Sequence, residues 1–346
     1  MLLVTIKCPE FEEPPSVQAE GLLSFKFQDL EYLKVLAREN QVECNPLLAA
    51  VVQNNLGVIA YKNNDHATAL QYFSRALALT KERNIYYSRI CNNIGLTYEF
   101  LGLYLTALDY LDEALEISLR FLPESDDFLA TLYANKGIIL DSIGEYSEAL
   151  FFLRKALNIR LLSLGENNFQ VMSNYNNLAV VLENLGSYDE GVLCMKRAIK
   201  ISKMIKTEPS IEQALLYLNL GSFYHDQGKL PKFEEMISAA YTIFSKLNNN
   251  ELVMAIYKNN KGFGSYWENI SFAKSMISKA RDIILKNFGN DHPLVAKVYN
   301  HLSIVHTAES EIAQAETLLH QAERIGLKYF RPNQLDLAKI YHNLGF

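Results

Sequence analysis

Eight side chains recur along the 346-residue chain in a pattern that could do chemistry: Asn55, Asn93, Asn135, Asn177, Asn219, Asn260, His301 and Asn343. Seven of the eight are asparagine, a mediocre helix former placed in segments that otherwise read as good helix. Something outside the local helix must favour it. An asparagine amide both donates and accepts, so a column of them can pair with the N–H and C=O groups of an extended peptide whatever its side chains. Each member stands two residues before a small one: Gly57, Gly95, Gly137, Ala179, Gly221, Gly262, Ser303 and Gly345. Asn176, beside Asn177, repeats only in part, as Asn54, Asn92, Asn259 and Asn300, and reads as an incidental neighbour.

Four residues after the small positions stand Tyr61, Glu99, Asp141, Glu183, His225, Tyr266 and Thr307, so the middle of the series offers three consecutive carboxylates, Glu99, Asp141 and Glu183. Basic residues are sparse beside them; Lys62, Arg89, Lys297 and Lys339 lie toward the ends. Two readings stay open, a preference for a neutral or basic ligand and a solvated acidic stripe. A third group, Phe263, Tyr266 and the single tryptophan Trp267, clusters where the spacing from Gly262 to Ala273 is one residue shorter than from Gly221 to Phe233. These aromatics either form a side-chain pocket or fill the space left by the shortening.

The elements that must position these residues follow from a second series. Alanine falls at Ala76, Ala114, Ala156, Ala198, Ala240, Ala280 and Ala322, spaced by 38, 42, 42, 42, 40 and 42 residues. A period in this range marks a solenoid, in which one unit cannot bury its apolar face alone. In "YANKGIILDSIGEYSEALFFLRKALNIRL", Tyr133, Gly137 and Leu140 share one helical stripe, Gly144 breaks the helix, and Tyr146, Ala149, Leu153 and Ala156 form a second stripe. The unit is therefore a pair of antiparallel helices. Mid-helix glycine costs about 1 kcal/mol relative to alanine, so Gly57, Gly95, Gly137 and Gly221 predict close approach of a neighbouring helix.

The first-helix Leu-Gly type pattern, turn glycine and second-helix alanines of "NNIGLTYEFLGLYLTALDYLDEALEI" resemble the tetratricopeptide repeat, and the links "SLGENNFQVM" and "NFGNDHPLVA" resemble the 42-residue form found in kinesin light chains. The resemblance covers residues 48–346. It implies an all-α, right-handed α-solenoid superhelix of antiparallel helix pairs, with first helices lining a concave groove. It also implies that the asparagine column holds an extended peptide backbone, or bonds between neighbouring helices to fix their stacking, or both. Family members clamp acidic ligands with Lys or Arg near the ends of first helices, and this chain departs from that pattern.

Seven hairpins begin near Leu48, Tyr87, Phe128, Gln170, Ile211, Glu251 and Pro293, with a half repeat near Gln334, giving an array over 46–346. Residues 1–45 form a separate lead, in which "LLSFKFQDLEYLKVLAREN" reads as an amphipathic helix capping the first hairpin. The ending at Phe346 reads as an apolar cap or as a cut within a longer protein, the cut being favoured. Asp127 and Asp291 are expected to cap helices, with Pro293 in a first turn.

Composition narrows the function classes. A net charge of -6 argues against nucleic acid as a partner. No apolar run is long enough to cross a membrane. Cys8, Cys44, Cys91 and Cys194 make no Cys-x-x-Cys pair, which fits a reducing, cytoplasmic setting. His301, His306, His320 and His342 crowd the end of the chain, but none are spaced i, i+3 or i, i+4, so neither a metal site nor a catalytic set is expected, and no cofactor. The expected function is a non-catalytic adaptor or scaffold that binds a protein or an extended peptide segment, neutral or basic. The alternative is a regulatory or peptide-sensing module of a larger enzyme, motor-linked or signalling protein.

Overall fold

The computed structural model describes residues 46–63, 65–206, 208–246, 251–329 and 335–345. The lead and capping helix expected within residues 1–45 lie outside them. Fifteen α-helices run through the described residues, which hold no strand. They are α1 Pro46–Lys62, α2 His66–Leu79, α3 Ile85–Phe100, α4 Tyr104–Phe121, α5 Asp127–Ser142, α6 Tyr146–Leu164, α7 Phe169–Asn184 and α8 Tyr188–Ile205. The remainder are α9 Ile211–Asp226, α10 Leu230–Phe244, α11 Glu251–Gly264, α12 Ile270–Phe288, α13 Pro293–Ala308, α14 Ile312–Tyr329 and α15 Leu335–Leu344.

The chain divides into two compact bodies inside α5, one ending at Ile139 and the other beginning at Leu140. In the first, α1 packs on α2 and α3 on α4, with α2 against α3 joining the pairs. In the second, the pairs α7–α8, α9–α10, α11–α12 and α13–α14 repeat the arrangement, α6 packs on α7, and α15 closes on α13 and α14.

Why these residues make this packing is visible at the alanine positions. All seven are fully buried, because a methyl is the largest group that fits where one helix crosses the next. The small first-helix positions serve the same closeness. A Cβ built on Gly57 would lie 2.5 Å from Cε1 of the buried Phe73. The turns are closed by a left-handed residue, as at Gly186 with φ 73°. Ser310 takes that conformation before α14, where the repeat has lost its glycine.

Two expected caps shift by one residue. Asp126 Oδ1, not Asp127, accepts from the Phe128 amide at 2.9 Å. At α13 the cap is His292, whose Nδ1 accepts from the Leu294 amide at 3.2 Å, while Asp291 pairs with Lys328. Pro293 does stand in the first turn of α13.

Candidate functional site

The asparagine column is wired to its neighbour column. In the first body, Asn93 Nδ2 donates to Asn54 Oδ1 at 2.9 Å and Asn135 Nδ2 to Asn92 Oδ1 at 2.8 Å. In the second, Asn219 donates to Asn176 at 2.9 Å and Asn343 to Asn300 at 2.8 Å. His301 continues the series: its Nδ1–H donates to Asn259 Oδ1 at 3.1 Å. Burial holds the His301 pKa well below the ordinary value, which keeps the ring neutral and consistent with a single N–H facing that oxygen. Asn54, Asn92, Asn176, Asn259 and Asn300 look incidental by spacing, yet each is the acceptor for a column member one repeat later. Asn176 and Asn259 also donate to their own neighbours, Asn177 and Asn260, at 3.2 and 3.3 Å. Where the acceptor position is Ala134, Asn177 is left with its bond from Asn176. Asn55, in α1, is half-buried.

Within the second body, the first helices α7, α9, α11, α13 and α15 surround an open cavity of about 640 Å³. Its walls bring together four residues that the sequence singled out for binding, Glu183, Phe263, His301 and Asn343. Phe263 lies parallel on the His301 ring, with centroids 4.2 Å apart, and Ile304 and Ala338 add apolar wall. Tyr266 also stacks on Phe263, with centroids 5.5 Å apart, and Trp267 lies against Tyr266 at 76% exposure, outside the cavity lining. Asn177, Asn219 and Asn260 are buried behind the lining. Glu99 belongs to the first body and is buried there; Asp141 accepts a 2.8 Å hydrogen bond from Asn184 at the cavity edge.

The electrostatics of the cavity centre on Glu183. The residue is buried to 5% exposure, and neither carboxyl oxygen has a hydrogen-bond partner among the described residues. Burial, reinforced by the charge of Asp226, raises its pKa well above the carboxylate range. Asp226 sits differently. Its side chain keeps 25% exposure and faces His225 Nδ1 at 3.1 Å, and although burial pushes its pKa upward, that hydrogen bond helps to bring it below the ordinary value. Tyr188 closes this end, and burial raises its phenol pKa. Lys339 and His342 of α15 also line the cavity.

Asp226 escaped the sequence reading because it lies five, not four, residues after its small position. The column that would have shown it holds Asn184 one repeat earlier and no common residue type.

Little else among the described residues could do chemistry. His306, Glu309 and Glu311 could together hold a metal ion, but Lys274 Nζ bridges the two carboxylates at 2.6 Å each and occupies the place of a cation between them. Burial pushes the Cys194 thiol up to about 11, which leaves no thiolate at neutral pH. No helix among the described residues is long and apolar enough to cross a membrane.

Tetratricopeptide repeat family models match residues 50–83, 86–161 and 173–203, which place the helix pairs in the same frame as the geometry above. These three stretches are tetratricopeptide repeats. Solved structures agree on the all-α solenoid fold. BtubC (BKLC) from P. vanneervenii is 22% identical with a TM-score of 0.54, covering 64% of this chain and 89% of its own. A Rap protein complexed with Competence and Sporulation Factor is 14% identical, with a TM-score of 0.68 over 84% of this chain and 79% of its own. The Rap conjugation gene regulator of plasmid pLS20, in complex with the Phr* peptide, is 13% identical, with a TM-score of 0.65 over 90% and 80%. No curated protein sequence matches the chain. Repeats of this type bind proteins or peptides and carry no chemistry of their own as a rule, and none of the matched families is catalytic.

Proposed function

We propose that this tetratricopeptide-repeat chain is a non-catalytic cytoplasmic adaptor that holds an extended segment of a partner protein in the cavity lined by α7, α9, α11, α13 and α15. The observation that carries this reading is the cavity itself. Five successive first helices converge on one open space with an apolar wall at Phe263, Ile304 and Ala338 and convergent polar groups around it, the usual make-up of a binding site. A groove that exists before binding avoids part of the ordering cost of association. The complex of the pLS20 Rap regulator with the Phr* peptide supports the choice of a peptide ligand.

In this reading the asparagine column acts at two levels. Most of its amides hold one first helix to the next and thereby fix the spacing of the groove wall. Asn343, which lines the cavity, contacts the ligand backbone, while Asn177 stays behind the lining. Phe263 supplies the aromatic surface. The carboxylates Asp141 and Glu183 and the sparse basic residues make a neutral or basic segment the better ligand.

Fluorescence anisotropy tests this with labelled dodecapeptides of equal length at low salt, one rich in Lys and Arg, one neutral, one rich in Asp and Glu. The basic or neutral peptide is expected to bind, and Ile304→Asp to weaken it. Tighter binding of the acidic peptide overturns the ligand preference; binding unaffected by Ile304→Asp overturns the assignment of the cavity.

A further inference from the structure

We propose that the Glu183–Asp226 end of the cavity is a subsite for a cationic nitrogen group of the bound segment, a lysine or arginine side chain or a free amino terminus. The inference rests on the reading of the cavity as a peptide groove and adds what that groove selects.

The geometry points there because Glu183 is incomplete as it stands. A buried carboxyl group with both oxygens unpartnered is rare in folded proteins, where buried polar groups nearly always find a partner. This one lines an open space, so the donor can arrive with a ligand. None of the helices packed on α7 brings a cation to it. From α8 comes Tyr188, and from α9 come Asp226 and His225, the latter already engaged with Asp226. Asp141 is held by Asn184. The remaining charged and titratable groups of the cavity, His301, Lys339 and His342, lie on α13 and α15; the Lys339 charge favours both carboxylates from there but makes no hydrogen bond to Glu183.

An arriving ammonium or guanidinium group presents three to five N–H donors. It can satisfy the Glu183 oxygens while staying close to the free lone pairs of Asp226. The two carboxyl groups stand on first helices one repeat apart, so a single cation between them ties α7 to α9. With its pKa raised, Glu183 keeps its proton in the empty groove; the entering cation favours the carboxylate, and the proton passes to solvent. Affinity for a basic ligand therefore rises with pH until Glu183 is ionised without help.

The experiment uses the whole chain and a positional-scanning octapeptide library, prepared once with free and once with acetylated amino termini. The best peptide is then titrated calorimetrically in buffers of different ionisation enthalpy. The expected result is enrichment of Lys or Arg at one position in the acetylated set, or loss of binding on acetylation if the amino terminus is the cation. Glu183→Gln, and independently Asp226→Asn, should then lower affinity for that peptide by about tenfold or more. Binding to the wild type should release a proton that Glu183→Gln does not release. Selection of peptides with no cationic group, or affinity and proton release unchanged in both variants, overturns the subsite and leaves the groove standing. Failure to select any peptide overturns the groove reading itself and the subsite with it.

Discussion

Replacing Asn54 with alanine should loosen α3 as much as α1. Asn93 is fully buried, and its Nδ2 donates to Asn54 Oδ1 at 2.9 Å; the nearby Asn92 amide, at 3.4 Å, engages the Asn93 oxygen, not its nitrogen. Asn54→Ala therefore strands a buried donor, at a cost of about 1–3 kcal/mol. Alanine returns up to about 0.7 kcal/mol of helix propensity. The net loss is about 0.3–2.3 kcal/mol. A solenoid need not unfold in one step, so the assay is amide hydrogen exchange, which reports opening locally. Protection of core amides in α1 and α3 should fall by about 2- to 50-fold. A cycle with Asn93→Ala isolates the pair, and its coupling should be about 1 kcal/mol. If Asn54→Ala shifts protection by less than twofold and the cycle shows no coupling, the bond between the columns does not hold the repeats together.

Three further outcomes follow from other sites. Glu183→Gln should raise stability at pH 8 and not at pH 4: below its ordinary value of 4.5 both states are protonated, whereas at higher pH the unfolded chain has lost a proton that the native state retains, so wild-type stability falls as pH rises. Thermal melts by circular dichroism at the two pH values check this, and an equal gain at both refutes it. His301 works in the opposite sense. Its folded-state pKa lies below 6.5, so stability is complete above pH 6.5 and falls as the unfolded chain protonates on acidification. His301→Asn should flatten that decline between pH 7.5 and 5, and a decline of unchanged slope counts against a buried neutral ring. Gly57→Ala forces a methyl against Phe73 and should cost about 1–3 kcal/mol before a gain of about 1 kcal/mol in helix propensity. Gly221→Ala, whose nearest side-chain atom would be Met236 Cβ at 3.4 Å, should be neutral or stabilising; urea melts of the pair with the same sign contradict the packing argument.

The helix pairs were legible because two physical demands leave marks at fixed spacing. Close crossing demands Ala76 through Ala322, and the turn back demands residues such as Gly186. The asparagine column was legible for the same reason. Its bonding was not, because an amide pair is split between repeats and the acceptor series is interrupted by Ala134 and Leu218, which makes the surviving members look accidental. Glu183 could be placed on a first helix from its spacing, but its lack of a partner depends on what stands around it in space. Asp226 and His225 come from the next repeat, and no periodicity predicts that they leave Glu183 unsatisfied. The caps at Asp126 and His292 missed by one residue because the chain path into a helix, which decides which side chain meets the free amides, is set by the preceding loop.

The bonded pairs, four of asparagines and one of Asn259 with His301, lie 39, 43, 43, 42 and 43 residues apart, yet the contact is kept. The ladder thus works as a phase lock between repeats that ignores how much chain separates them. Insertions and deletions in the turns and links, including the shortening after Gly262, are absorbed without disturbing it. One residue added within a first helix, between an acceptor and its donor neighbour, would rotate the amides about 100° apart and unlock that repeat from one of its neighbours.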